Sequence, residues 1–146
     1  MLRKDFTIDE RDVVDARRMG ADAVLLIVAA IDPVELARLL ELSVDVGLDA
    51  LVEVHDEREV EAALSVGATL IGVNQRDLVT FEVDTRRAER VRTAIPDGIV
   101  TVAESGVRDA ADVRRLRDAG FDAVLVGEHL VTSDDPEAAV RALRSS

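Results

Sequence analysis

The 146-residue chain sets 30 acidic side chains against 18 basic ones, a net charge of −12, with no cysteine, no Trp or Tyr, and three Phe. Without thiols there are no disulfides, thiolate nucleophiles or thiolate metal sites. Without a basic excess or stacking platforms there is no footprint for nucleic acid.

The length fits one domain, residues 1–146, with a core that needs no staples. The longest uncharged run in the most apolar region, Ala23–Ile31 between Asp22 and Asp32, is too short to span a bilayer, and no basic-then-apolar leader opens the sequence. These features predict an acidic cytoplasmic protein with no membrane partner. His55 and His129 lie far apart and form no ligand pair, so no metal site is expected.

In chain order, a truncated first strand is expected at Leu2–Lys4, followed by a helical pattern through Val13, Val14 and Ala16. A glycine then precedes an apolar run, and this arrangement recurs at Gly20–Val28, Gly47–Val54, Gly67–Val73 and Gly120–Gly127, with a weaker copy at Gly98–Ala103. Short continuous apolar runs suit strands buried on both faces, and a glycine before each suits the left-handed residue that ends a helix. Strands are predicted at Ala23–Val28, Ala50–Val54, Thr69–Val73, Ile99–Ala103 and Ala123–Val126. Between them Asp32-Pro33, Asp56-Glu57 and Asp109-Ala110 read as capped helix starts, and Pro136–Leu143 as a last helix opened by Asp135. Arg86–Arg92 and Arg108–Asp118 read as solvated helix faces with i, i+4 charge pairs.

Strands alternating with helices imply parallel pairing, as a doubly wound open sheet or a (βα) barrel. No glycine-rich nucleotide fingerprint follows a strand, which counts against the first. One repeat averages about 25 residues, so eight would need about 200, and a barrel sequence of this length is an incomplete one.

The chemistry of such folds sits at the C-terminal ends of the strands. There the sequence places Lys4, Glu53, Asn74, Arg76, Glu104-Ser105-Gly106 and Gly127-Glu128. Glu53 and Glu104 interrupt or end apolar runs, where a carboxylate is costly without a partner. Each is a proton-transfer group or half of a structural ion pair. Arg76 pairs with a carboxylate or holds an anionic substrate group. Ser105-Gly106 and Gly127-Glu128 are small-residue tips that cradle a phosphate or merely turn the chain. His55 and His129 are read as capping or surface residues.

The strings LRKDF at Leu2–Phe6, LVEVH at Leu51–His55, GVNQRDL at Gly72–Leu78, AESGV at Ala103–Val107 and LVGE at Leu125–Glu128, in this order, resemble indole-3-glycerol phosphate synthase. The resemblance covers essentially the whole chain and corresponds to the third to eighth strands of that family's TIM (βα)8 barrel. It implies a carbon–carbon lyase of tryptophan biosynthesis that needs no cofactor and acts on a phosphorylated anthranilate-derived substrate. It further implies that Lys4 is a general acid, Glu53 a proton-transfer carboxylate and Glu104 a catalytic partner. Asn74, Arg76 and Ser105 would position the substrate, Phe6 and Leu78 would touch its ring, and Gly106, Gly127 and Glu128 would mark the phosphate cradle.

The family's first two strands, with a glutamate, a lysine and a Ser-Pro turn, have no counterpart here. The expectation is a fragment with little or no activity, prone to self-association through open barrel edges. Two other readings stand beside it: another phosphate-binding βα-barrel enzyme, such as an isomerase of the same pathway, and a non-catalytic barrel fragment or assembly unit.

Overall fold

A computed structural model describes residues 1–145. Six strands form one sheet: β1 (Leu2–Arg3), β2 (Ala23–Ile27), β3 (Asp49–Val54), β4 (Leu70–Asn74), β5 (Val100–Glu104) and β6 (Ala123–Leu125). Every neighbouring pair is parallel, and the order is sequential from β1 to β6. A doubly wound sheet would reverse its strand order at a switch point, and this one never does. The sequential order is that of a barrel wall. Among the described residues the outer edges of β1 and β6 pair with no strand, so the wall stays open.

Seven helices connect and follow the strands: α1 (Glu10–Arg18), α2 (Pro33–Asp45), α3 (Glu57–Ser65), α4 (Arg87–Arg92), α5 (Ala110–Asp118), α6 (Glu128–Val131) and α7 (Pro136–Arg144). Much of the acidic excess does local work at their starts. Asp9, Asp32, Asp56, Asp109 and Asp135 each accept backbone N–H groups as N-caps, a contribution of about 1 kcal/mol apiece. Gly67 and Gly120, at φ of +84° and +92°, turn the chain from helix into strand, as expected. Among the described residues no helix is long and apolar enough to cross a membrane.

Every strand bound falls within a residue of expectation; β2 ends one residue early because Val28 begins a 3-10 turn, and β6 stops one residue early at Leu125. Two corrections concern charged helices. Asp112 in α5 is buried, not solvated, because it accepts the backbone N–H and Nε of Arg108 and pairs with Arg115. The arginines of α4 and α5 also reach across elements, Arg90 to Glu57 and Arg115 to Glu89, which i, i+4 logic cannot foresee.

Strand alternation sorts the side chains onto two faces. One face, through Val24, Leu26, Val52, Val54, Ile71, Val73 and Ala103, packs against the helices in the main core. The other carries a small cluster of Leu25, Ile27 and Leu51, bordered by Leu2, Leu70, Leu78 and Val102. Along this inner face the register sets Ile27 beside Glu53, Glu53 beside Gly72, and Asn74 beside Glu104. The polar interruptions of the apolar runs therefore share one face at one end of the sheet.

Candidate active site

Lys4, just past β1, reaches across the inner face to both carboxylates. Its Nζ lies 2.8 Å from Glu53 Oε2 and 2.9 Å from Glu104 Oε2. Both glutamates are 1% exposed, whereas the lysine keeps 37% of its side chain in solvent. Asn74 Nδ2 donates to Glu53 Oε1 at 2.8 Å, and Ser105 Oγ donates to Asn74 Oδ1 at 2.9 Å. A chain from Ser105 through Asn74 thus sets the plane of the Glu53 carboxylate.

Glu104 is less well served. Neither of its oxygens receives a well-aligned hydrogen bond among the described residues. Burial is the main force on its proton affinity and the charge of Glu53 the second, and Lys4 only partly offsets them. The carboxyl is pushed up to about 7. Burial by itself would lower the Lys4 ammonium, but the charge of Glu104 and the hydrogen bond and charge of Glu53 outweigh it and raise the lysine overall. The site thus combines a firmly held cation with a carboxyl near half-protonation at neutral pH, a pairing suited to proton transfer.

A cavity of about 660 Å³ opens beside this cluster. Of the residues singled out from sequence, Lys4, Arg76, Glu104, Ser105, Gly106, Gly127 and Glu128 line it. Glu53 and Asn74 lie buried behind Lys4 and Ser105. Phe6 and Leu78 are not part of its wall: Phe6 is 58% exposed, and Leu78 packs on the inner apolar cluster. The Glu128 side chain does not face an anion site as a donor. It is an acceptor paired with Arg76 Nη2.

Sequence reasoning missed three contributors. Gly72 makes room for Glu104, since a Cβ there would lie 2.0 Å from Glu104 Oε1. A lone glycine inside a strand pattern was the available signal. Gln75 is fully buried, and its Nε2 donates to the Ser105 carbonyl at 2.7 Å. It thereby pins a turn in which Ser105 and Gly106 both take positive φ, +66° and +71°; no local pattern reveals that role. His55, read as a cap or surface residue, has only 13% of its side chain exposed. Its Nδ1 is 3.1 Å from Glu59 and its Nε2 3.6 Å from Glu53.

A sequential parallel βα sheet, with its ionisable groups gathered at the C-terminal ends of the strands, defines the (βα)-barrel class. Solved structures agree on the fold. The 3-hexulose-6-phosphate synthase of Salmonella typhimurium superposes with a TM-score of 0.78 at 16% identity, over 99% of this chain and 71% of that one. A thiamine phosphate pyrophosphorylase of Pyrococcus furiosus gives 0.72 at 21% identity, over 91% and 62%.

The model of the indole-3-glycerol phosphate synthase family matches residues 1–143. The chain belongs to that family. It is 53% identical over 143 residues to indole-3-glycerol phosphate synthase 2 of Streptomyces coelicolor, covering 98% of this chain and 55% of the relative. It is 51% identical to the synthase of Mycobacteroides abscessus, covering 98% and 53%. The chain spans about half the length of the curated relatives it matches.

Proposed function

We propose that Lys4, Glu53 and Glu104 carry the acid–base steps of the indole-3-glycerol phosphate synthase reaction. In it, 1-(o-carboxyphenylamino)-1-deoxyribulose 5-phosphate closes to indole-3-glycerol phosphate with loss of CO2 and water. The observation that carries this reading is one ammonium held 2.8 and 2.9 Å from two buried carboxylates at the wall of a cavity.

The ring carbon bearing the carboxylate attacks the sugar carbonyl carbon. As that C–C bond forms, the carbonyl oxygen takes a proton, and CO2 then leaves its electron pair on the ring. Lys4 is the donor toward that oxygen, and its two carboxylates hold it in place. In the dehydration the new hydroxyl departs as water while the neighbouring methylene gives up a proton. Glu104, poised near 7, supplies the proton to the hydroxyl, and Glu53, held by Asn74, accepts the one from the methylene.

Arg76 and the backbone at Ser105-Gly106 and Gly127 take the substrate's anionic groups, and Phe6 and Leu78 meet its ring. What supports the anion sites is that these positions line the same cavity as Lys4. What supports the ring contacts is the family resemblance.

The test is a turnover assay on the purified chain, alone and joined to the portion of the Streptomyces coelicolor relative that it does not cover. Little or no turnover is expected from the chain alone. The joined protein should be active, and Lys4→Met or Glu53→Gln should lower its rate about 100-fold or more. Activity of the joined protein that survives both substitutions would overturn the assignment.

A further inference from the structure

The cavity presents three cations, Lys4, Arg76 and Arg108, and each already faces a carboxylate. Their four partners differ in how easily they can leave. Glu53 and Glu104, which hold Lys4, are 1% exposed. Asp112, which holds Arg108, is 10% exposed and is tied to the Arg108 backbone N–H and to Arg115. Glu128, which holds Arg76, has 75% of its side chain in solvent.

Arg76 also has a second anchor. Its Nη1 donates to the Phe81 carbonyl at 3.2 Å, and its backbone N–H donates to Asn74 Oδ1 at 2.9 Å. If Glu128 swings into solvent, the guanidinium stays aimed at the cavity with a fork free to accept an oxyanion. Of the four ion pairs, only this one exchanges partners without exposing a buried carboxylate.

We propose that Glu128 is a built-in competitor for Arg76, displaced when an oxyanion enters the cavity, and that it thereby sets the site's affinity for anionic ligands. The inference rests on the anion-binding reading of this cavity. The oxyanion is a phosphate or an aromatic carboxylate, groups that share the geometry an arginine fork recognises. Glu128 weakens the hold on either, because only the fraction of molecules with Arg76 free can bind.

The test is an NMR titration of the 146-residue chain with inorganic phosphate and, separately, with benzoate, at pH 7 and constant ionic strength. It compares wild type, Glu128→Gln, Arg76→Gln and the double variant. An exposed ion pair is worth at most about a fivefold change in affinity. Glu128→Gln is therefore expected to bind at least one of the two probes about three- to fivefold more tightly, and the gain should vanish in the Arg76→Gln background. The probe that gains identifies the group Arg76 takes. Glu128→Ala must reproduce the gain, since it lacks the amide that could itself bind an anion.

Unchanged affinity in Glu128→Gln overturns the proposal, as does an equal gain when Arg76 is absent, which would mark a general charge effect. If none of the four proteins binds either probe, the anion-binding reading fails with it. Binding without the gain rejects the competitor alone.

Discussion

The strongest consequence of the site's geometry concerns Glu104→Gln. A carboxyl that titrates at 4.5 in the unfolded chain and about 7 in the fold binds its proton more tightly when folded. Between those two pH values the folded state holds more protons at this position, so stability falls as pH rises through the window and levels off above 7. The differential is about 3 kcal/mol if the whole displacement is realised.

Glutamine keeps the shape, carries no charge next to Glu53 and has nothing to titrate. Urea denaturation of both proteins from pH 4.5 to 8.5 isolates the effect, because every other group titrates in both. The stability of Glu104→Gln relative to wild type should climb by about 2–3 kcal/mol between pH 4.5 and 7 and then hold constant. The joined, active protein carrying the same substitution should lose turnover across the whole range. A stability difference that does not vary with pH would refute the claim that burial and the Glu53 charge strain this carboxyl.

Lys4→Met leaves two buried carboxylates with no cation. Stability at pH 8 should fall by about 2 kcal/mol, less than for a fully buried pair because the lysine is partly solvated, and the loss should shrink at pH 5, where Glu104 takes a proton. Gly72→Ala drives a methyl into Glu104 Oε1 and should cost about 2–3 kcal/mol by thermal or urea unfolding; a loss under about 0.5 kcal/mol would mean the carboxylate is free to move. Gln75→Ala strips the Ser105 carbonyl of its donor and should cost about 2 kcal/mol, with altered NMR shifts at Ser105 and Gly106 as the local readout. The unpaired edges of β1 and β6 predict species larger than one chain by light scattering at high micromolar concentration, and a strictly monomeric protein would count against that.

Much of this was legible in one dimension because it depends on local physics. Asp32-Pro33 and Asp109 start helices through contacts three residues long, and each glycine-then-apolar run marks a strand whatever surrounds it. The carboxylates Glu53 and Glu104 stood out for the same reason: burying a charge within or at the end of an apolar run demands an explanation from far away. Gln75 is neutral and breaks no local pattern, and a lone glycine in a strand flags Gly72 without revealing that Glu104, 32 positions on, is what it makes room for.

The sequence by itself determined the repeated βα unit, the end of the sheet where chemistry gathers, and the family. Only the tertiary structure decided which charge meets which. Lys4 lies 49 positions from Glu53, and pairing it with both carboxylates required the parallel register that lays β3, β4 and β5 side by side. Proton affinities followed from that placement, since burial and a second carboxylate act through space. The same holds for Glu128. By position it belongs to a phosphate-holding tip, but its carboxylate is an acceptor, and in three dimensions it neutralises the arginine that an anion would need.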